Sequence, residues 1–451
     1  MFETLKNAFK VKEIRNKILI TLALLFVYRL GCYIPVPGIA TSLWNEAVNS
    51  ADNFSYLNIM SMMNGGALQY GSLFAMGIGP YINASIIIQL LCVAIPRLES
   101  LSKQGEEGRK KIAQITRYVT IVLAIIQSVG VLVSYNANFL EAPEGSGYMP
   151  LGQILVFGNE KLFGFGNVLA YILVIIIFTA GTCITMWLGE RITDYGVSNG
   201  ISMLIFAGVL ASAAQAFISM ISTWADGFDP RHFWKLLGFI VVIIVIFGCI
   251  VTVDLAERKI PVQYAKQIKG RKMYGGQSTA IPIKVNANGV MPLIFAFSIL
   301  SFPELIISMF WQGKGIHQFW AKWLGSTSQY PFYSIILCLL VLFFAFFYSQ
   351  IQFNPDDISK SIQQNGGFIP GIRPGRPTAD YLRRVSNRIT LFGAIFLAIM
   401  ALIPSLVFNA MGVPSGAFSA TGLLIVVSVA LEFNQQLEAQ IMMKQYKGFL
   451  K

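Results

Sequence analysis

Residues 77–90 read GIGPYINASIIIQL and lie near the start of the second long apolar run of the chain, at 73–95. Gly77, Gly79 and Pro80 interrupt this run, and glycine and proline free backbone polar groups that lipid cannot satisfy. A broken start of this kind is tolerated only against protein or a water-filled cavity. The stretch therefore predicts a membrane helix whose first turn borders the interior of a helical bundle.

The composition places the whole chain in the membrane class. Of its 451 residues, 55% are hydrophobic and only 12% are charged. A soluble globular protein carries about 25% charged residues. These values exclude intrinsic disorder, a collagen-like fibre and a small disulfide scaffold, and they indicate a polytopic membrane protein.

Ten apolar runs approach the length of about 20 residues that a spanning helix needs. They lie at residues 18–36, 73–95, 112–134, 167–188, 201–222, 236–253, 290–311, 332–350, 389–410 and 418–433. The termini and the connections on their side of the membrane hold 28 of the 34 Lys and Arg residues. Since basic residues accumulate on the cytoplasmic side, both termini are predicted to be cytoplasmic.

Each half of the chain, residues 1–225 and 226–451, contains five of these runs. Five is odd, so the second half enters the membrane from the opposite side. If the halves are structurally related, they form an inverted repeat with a path at their interface, as in many transporters. The sequence therefore predicts an all-α polytopic membrane protein with ten transmembrane helices in two inverted five-helix halves.

Catalytic and metal chemistry has little support in the residues. The chain contains no GxxxxGK[ST], HExxH or GxSxG pattern, its five cysteines form no CxxC, and it has two histidines. We therefore predict no enzyme, no cofactor and no metal site. Arg29 and Glu304 lie towards the ends of their runs, where side chains can reach the membrane interface. The scarcity of mid-membrane acids favours a conduit with an apolar constriction over a coupled carrier.

The segment 57–68 reads LNIMSMMNGGAL and is semi-apolar, uncharged and too short to span a membrane. It ends in a Gly65-Gly66 pair. Two interpretations follow from the residues alone. The segment is either a surface loop packed on its neighbours or a short helix that occupies a cavity and can leave it.

Two connections on the basic side, 255–288 and 352–388, are too long to be simple connectors and carry seven and six basic residues. Topology determination alone is one explanation. The other is docking of a negatively charged cytosolic partner such as RNA, which basic surfaces bind through its phosphates. In the second connection, the turns Pro370-Gly371 and Pro374-Gly375 flank Arg373 and would present its guanidinium in a fixed direction.

Short motifs are spread from the first apolar run to the ninth. They are IPVPG at 34–38, GGA at 65–67, the stretch 77–90, WLGERIT at 187–193, NGIS at 199–202, QST at 277–279, PIKVN at 282–286, NP at 354–355 and the turn pair 370–375. Together they resemble the SecY family of bacterial protein-conducting channels over essentially the whole chain. One departure is the outer segment 135–166, which is longer than is common in the family.

The resemblance implies an hourglass pore with an aliphatic ring at its waist, a short plug helix below the ring and a lateral gate. The ring residues would be Ile78, Ile82, Ile201, Ile205, Ile294 and Ile425. The plug would occupy residues 57–72 and include Ile59, Met60, Met62, Met63, Asn64, Gly65 and Gly66. The gate would lie between the second and third runs on one side and the seventh and eighth on the other, with Asn83, Gln127 and Asn286 in its seam.

The family also implies a function and partners. Unfolded secretory polypeptides and membrane-protein nascent chains would cross the bacterial cytoplasmic membrane, and hydrophobic segments would leave sideways into the lipid bilayer. SecE and SecG would be small membrane subunits, and the SecA ATPase or the ribosome would supply the work. Contact residues for SecA or the ribosome would be Arg258, Lys259, Lys269, Arg271, Lys272 and Arg373. A secondary transporter for a small solute is the alternative that the helix count and the broken helices leave open.

Overall fold

The structure is a computed structural model, and fourteen helices and five short strands account for most of the residues it describes. Those residues are 2–37, 39, 41, 44–45, 60–61, 63–140, 166–226, 230–264, 267–269, 272–274, 278–286, 289–311, 315–324, 332–411 and 420–449. The outer segment singled out above therefore lies mostly outside the described residues, as do Ile59, Met62 and Arg271.

The helices follow the chain in this order: α1 Phe2–Lys10, α2 Lys12–Gly31, α3 Gly79–Ala94, α4 Pro96–Ser102, α5 Glu106–Leu140, α6 Gly166–Tyr195, α7 Gly200–Asp226, α8 Pro230–Leu255, α9 Met291–Phe310, α10 Gly315–Trp323, α11 Phe332–Gln352, α12 Pro355–Gln364, α13 Arg376–Met411 and α14 Ala420–Phe449. The strands are β1 Glu257–Tyr264, β2 Gln267–Lys269, β3 Lys272–Tyr274, β4 Ser278–Lys284 and β5 Gly367–Phe368.

Each of the ten predicted runs coincides with a helix, namely α2, α3, α5, α6, α7, α8, α9, α11, α13 and α14. Within the described residues, six of them are long and apolar enough to cross a membrane, and α3 with α4 would make a seventh. A helical membrane protein is thus confirmed, while the count of ten stays a prediction. Helices α5, α13 and α14 continue well beyond their apolar runs, because their polar extensions keep packing on neighbouring helices.

The second run is broken at both ends for local reasons. Its helix begins only at Gly79, six residues after the predicted start, because the preceding segment is a series of turns with left-handed glycines such as Gly65 (φ 66°) and Gly77 (φ 51°). At its other end α3 meets α4 at 106°. Pro96 causes this bend, since the residue before a proline avoids the helical region and Ile95 is extended (φ −108°, ψ 115°).

The two halves of the chain enclose the main apolar core. Helix α7 of the first half packs on α14 of the second, and α5 packs on α9, which also touches α3. Buried side chains from both halves form one continuous cluster between these helices. The interface between the halves is therefore largely apolar, and a cavity described below lies within it.

The two long basic connections fold together, which the sequence did not predict. Strand β1 of the first connection pairs antiparallel with β4 along its length and with β5 of the second connection at its end, giving the order β4-β1-β5. Beneath the sheet lies a separate apolar cluster that includes Ile260, Val262, Ile362 and Leu382. The two connections, which the sequence predicts as separate, therefore form one small domain. This domain includes α12 and lies next to α8 and α13.

Candidate functional site

A cavity of about 570 Å³ lies between α3, α7, α9 and α14, two helices from each half. Five of the six predicted ring residues line it, and they are Ile82, Ile201, Ile205, Ile294 and Ile425. Ile78 is the N-cap of α3 and is buried in the same apolar cluster. The structure thus brings five ring residues to one surface and places the sixth in the core beside it.

Polar side chains make up a second part of the cavity lining. Asp254, at the end of α8, accepts a hydrogen bond from the amide of Asn286 at 2.7 Å and another from the hydroxyl of Ser428. Lys284 donates to Gln435 at 2.6 Å, and both side chains face the same space. The cavity therefore combines an apolar portion, made by the isoleucines, with a hydrogen-bonding portion near the basic sheet.

The described part of the predicted plug, residues 60–61 and 63–72, is buried within the bundle. Asn64 is 1% exposed and donates from its amide to the carbonyl of Ala75 at 2.8 Å. Trp44 donates to the carbonyl of Leu68 at 2.8 Å. Met60 and Leu68 pack with side chains of α5 and α6, while Ala67 belongs to the same cluster as the ring isoleucines. These residues are therefore not a surface loop, but residues 64–71 form turns and not a helix, so the predicted short helix is not seen in that part of the segment.

Arg29 on α2 has a role that the sequence reasoning missed. Its guanidinium donates to the carbonyl of Gly65 at 2.9 Å and to the hydroxyl of Tyr33 at 2.9 Å. That Arg29 and Glu304 reach the membrane interface stays a prediction; the structure adds that Arg29 turns towards the plug and that Glu304 is 8% exposed. No sequence signal reveals the Arg29 bond, since its acceptor is a backbone carbonyl.

The plug also touches α7 backbone to backbone. A Cβ added at Gly208 would overlap the carbonyl oxygen of Met63 and lie 3.0 Å from its carbonyl carbon and 3.3 Å from the nitrogen of Gly65. All three atoms belong to the backbone, and none to a flexible side chain. A glycine at position 208 is therefore required for the plug to lie where it does.

The three predicted gate residues have different surroundings. Asn83 is half-buried on α3, and Asn286 is fixed by its bond to Asp254. Gln127 on α5 is fully buried, and among the described residues neither its amide nitrogen nor its oxygen has a hydrogen-bond partner. All three lie on or just before helices α3, α5 and α9, which contact one another across the halves.

The predicted contact residues lie on the small β-domain where they are described. Arg258 and Lys259 are exposed on β1, and Lys259 pairs with Glu257 at 3.1 Å. Arg373 is exposed between Gly371 (φ 81°) and Gly375 (φ 98°), and its carbonyl accepts a bond from Thr378 at 2.8 Å. Lys269 and Lys272 belong to the hairpin β2–β3, and their side chains lie outside the described residues, as does Arg271.

Metal and thiol chemistry gains no support from the part of the chain that the structure describes. No group of three or more His, Cys, Asp or Glu side chains lies close enough to hold a metal ion there. The five cysteines are all unpaired.

The fold and this site define a polytopic helical membrane protein with a cavity between two halves and a buried segment beside it. A profile of the SecY family matches residues 72–434. The chain is 42% identical to the protein translocase subunit SecY of Streptomyces coelicolor and 40% identical to that of Halalkalibacterium halodurans, each time over the full length of both chains. The chain therefore belongs to the SecY family.

Solved structures share the fold. A protein-conducting channel matches with a TM-score of 0.64 at 19% identity, covering 94% of this chain and 92% of that one. Sec61 in the canine ribosome–channel complex of the endoplasmic reticulum matches with a TM-score of 0.60 at 18% identity, covering 94% and 92%.

Proposed function

We propose that this SecY-family chain is a protein-conducting channel. It passes unfolded secretory polypeptides across the membrane and releases hydrophobic segments into the bilayer through a lateral gate. The observation that carries the proposal is the cavity between the halves, which five isoleucines line and beside which residues 60–61 and 63–72 are largely buried. A channel of this kind is a passive pore and has no catalytic centre of its own.

The six isoleucines form the waist in this proposal. Branched apolar side chains offer water and ions no hydrogen bond, so a narrow ring of them dewets and blocks conduction. They also give a passing polypeptide no polar group to which it could bind tightly. The residues are therefore suited to closing around a chain and sealing when it has left.

Segment 57–72 acts as the plug. Its closed position depends on the bonds of Arg29, Trp44 and Asn64 and on the backbone contact at Gly208. Each neutral hydrogen bond contributes about 1 kcal/mol net, and a bond from a charged donor contributes about 1.5–3 kcal/mol. The plug is thus held by a small set of individually modest contacts, which a translocating chain can displace.

The lateral gate lies between α3 and α5 on one side and α9 and α11 on the other. Amide side chains in membrane helix seams contribute only about 0.6–2 kcal/mol each. A signal sequence with about ten apolar residues gains about 3–6 kcal/mol on reaching lipid, at 0.3–0.6 kcal/mol per residue. Because the two quantities are comparable, the hydrophobicity of a client decides whether the gate opens.

The β-domain formed by β1, β4 and β5 is the docking surface for the SecA ATPase or the ribosome. Exposed Arg258, Lys259 and Arg373 stand on a packed core, which fixes their positions for a negatively charged partner. SecE and SecG are the small membrane subunits in this proposal. The protein lies in the bacterial cytoplasmic membrane with both termini in the cytoplasm, and its halves 1–225 and 226–451 form an inverted repeat.

Site-specific crosslinking tests the function. A photoreactive residue replaces Ile82 or Ile201, and a secretory chain is stalled in transit. Ile176 on α6 is the matched control, because its side chain is 61% exposed on the outside of the bundle. We expect crosslinks at both cavity positions and none at 176, and none at any position when the client lacks a signal sequence.

A verified stalled complex without crosslinks at either cavity position would contradict the proposal. That result would favour the small-solute transporter, which shares the inverted halves but needs no polypeptide in its cavity.

A further inference from the structure

A single carboxylate joins the gate to the helix that carries a ring residue. Asp254 is the penultimate residue of α8 and lines the cavity. One of its oxygens accepts the bond from Asn286 at 2.7 Å, and the other accepts the bond from Ser428. Each oxygen is thus used by a donor on a different element.

The two donors lie at functionally distinct places. Asn286 follows β4 and lies five residues before Met291, the first residue of the helix that contacts α3 and α5 across the seam. Ser428 is on α14, about one helical turn beyond Ile425, and both residues line the cavity. Asp254 therefore ties the start of α9 to the helix that presents Ile425.

The backbone supports the same arrangement. The nitrogen of Val285 donates to the carbonyl of Ala256 at 2.9 Å, which holds the turn before α9 against the end of α8. The Asp254 bond then fixes the direction of the neighbouring Asn286 amide. Movement of α9 away from α3 and α5 pulls on both restraints.

We propose that Asp254 is a positioning residue of the lateral gate. It holds the start of α9 in the closed arrangement and links gate opening to the position of α14. This inference rests on the proposed function, because it assumes that Asn286 belongs to the gate. A carboxylate suits the role, since hydrogen bonds to a charged acceptor are stronger than neutral ones and a partly buried carboxylate is costly to leave unpaired.

Asp254→Leu removes both bonds. We expect a client with a marginal signal sequence to be transferred to lipid at least tenfold more efficiently than in the wild type, because loss of a single hydrogen bond to a charged acceptor corresponds to about tenfold and Asp254 accepts two. Strongly hydrophobic clients, which open the gate in any case, should be unaffected. Asp254→Asn should be intermediate, because its oxygen can still accept from Asn286 and its amide can donate to Ser428.

The experiment measures transfer of clients graded in signal hydrophobicity, using the complete complex in membranes. Asp254→Leu is combined with Asn286→Leu in a double-mutant cycle. The double variant should behave like Asp254→Leu alone, because that single variant already lacks the bond to Asn286. Asp194→Leu is the matched control, since Asp194 is 60% exposed and lies outside the cavity lining.

An unchanged threshold in Asp254→Leu, or effects of the two single variants that add independently, would overturn the inference. If Asp254→Leu does not accumulate, Ser428→Ala removes one bond without removing the carboxylate and should raise transfer of marginal clients about tenfold. No change in that variant would equally overturn it. If strongly hydrophobic clients fail to enter the wild-type complex, the proposed function itself fails.

Discussion

Gly208→Ala should open the plug without unfolding the protein. The added methyl group would overlap the carbonyl oxygen of Met63 and approach the backbone nitrogen of Gly65 to 3.3 Å. Both are backbone atoms in a buried segment, so the clash is relieved only if the segment moves. Overpacking of this kind costs about 1–3 kcal/mol. The ratio of docked to undocked plug should then fall by about 5- to 150-fold.

A matched variant separates this effect from a change in helix stability. Gly248 on α8 has nothing within 4 Å of an added Cβ, so Gly248→Ala has the same helix-propensity gain of about 1 kcal/mol without a clash. The assay is halide efflux from vesicles that contain equal amounts of each complex. We expect a leak in Gly208→Ala and none in Gly248→Ala. Equal efflux from the two variants would refute the reasoning.

Three further predictions concern single side chains. Arg29→Leu removes the bond to the Gly65 carbonyl and should raise halide efflux about tenfold; efflux at the wild-type level would show that this bond does not hold the plug. Gln127→Leu replaces a buried amide without a described partner, so it should stabilise the closed seam and raise the hydrophobicity threshold of clients, whereas Asn286→Leu should lower it. Unchanged export of weak and strong signals in both variants would contradict this pair. Arg373→Glu reverses an exposed charge and should weaken SecA binding while leaving membrane insertion intact, and normal SecA-driven export would defeat the assignment.

The membrane fold could be predicted because it depends on features that are local in the sequence. Apolar runs of sufficient length place ten of the helices, whereas the bend that Pro96 causes between α3 and α4 was not predicted. The proposed ring isoleucines could be named only through the family resemblance. A branched apolar residue such as Ile205 has the same local signature in a pore, in a core or facing lipid.

Several interactions could not be predicted, because they join residues that are far apart in the chain. Some also use backbone groups, which are the same in every residue and leave no pattern in the sequence. Arg29 bonds a backbone carbonyl, an acceptor that every residue possesses. Asp254 was visible as an acid at the end of the sixth run, but its partners Asn286 and Ser428 lie 32 and 174 positions away. Strand β5 has two residues, too few for an alternating pattern, so the pairing of the two basic connections was equally hidden.

The sheet that joins the two basic connections links a surface outside the helical bundle to the helices of the bundle. Strand β1 begins at Glu257, directly after the end of α8, and pairs with strands from both connections. Arg373 follows β5 in the chain, and β5 is hydrogen-bonded to β1. Only Leu255 and Ala256 separate Asp254 from the first residue of β1, so a force on the sheet is transmitted to Asp254 through the backbone. In the proposed function, a docked partner that moves this sheet would therefore also move the end of α8 and the carboxylate of Asp254.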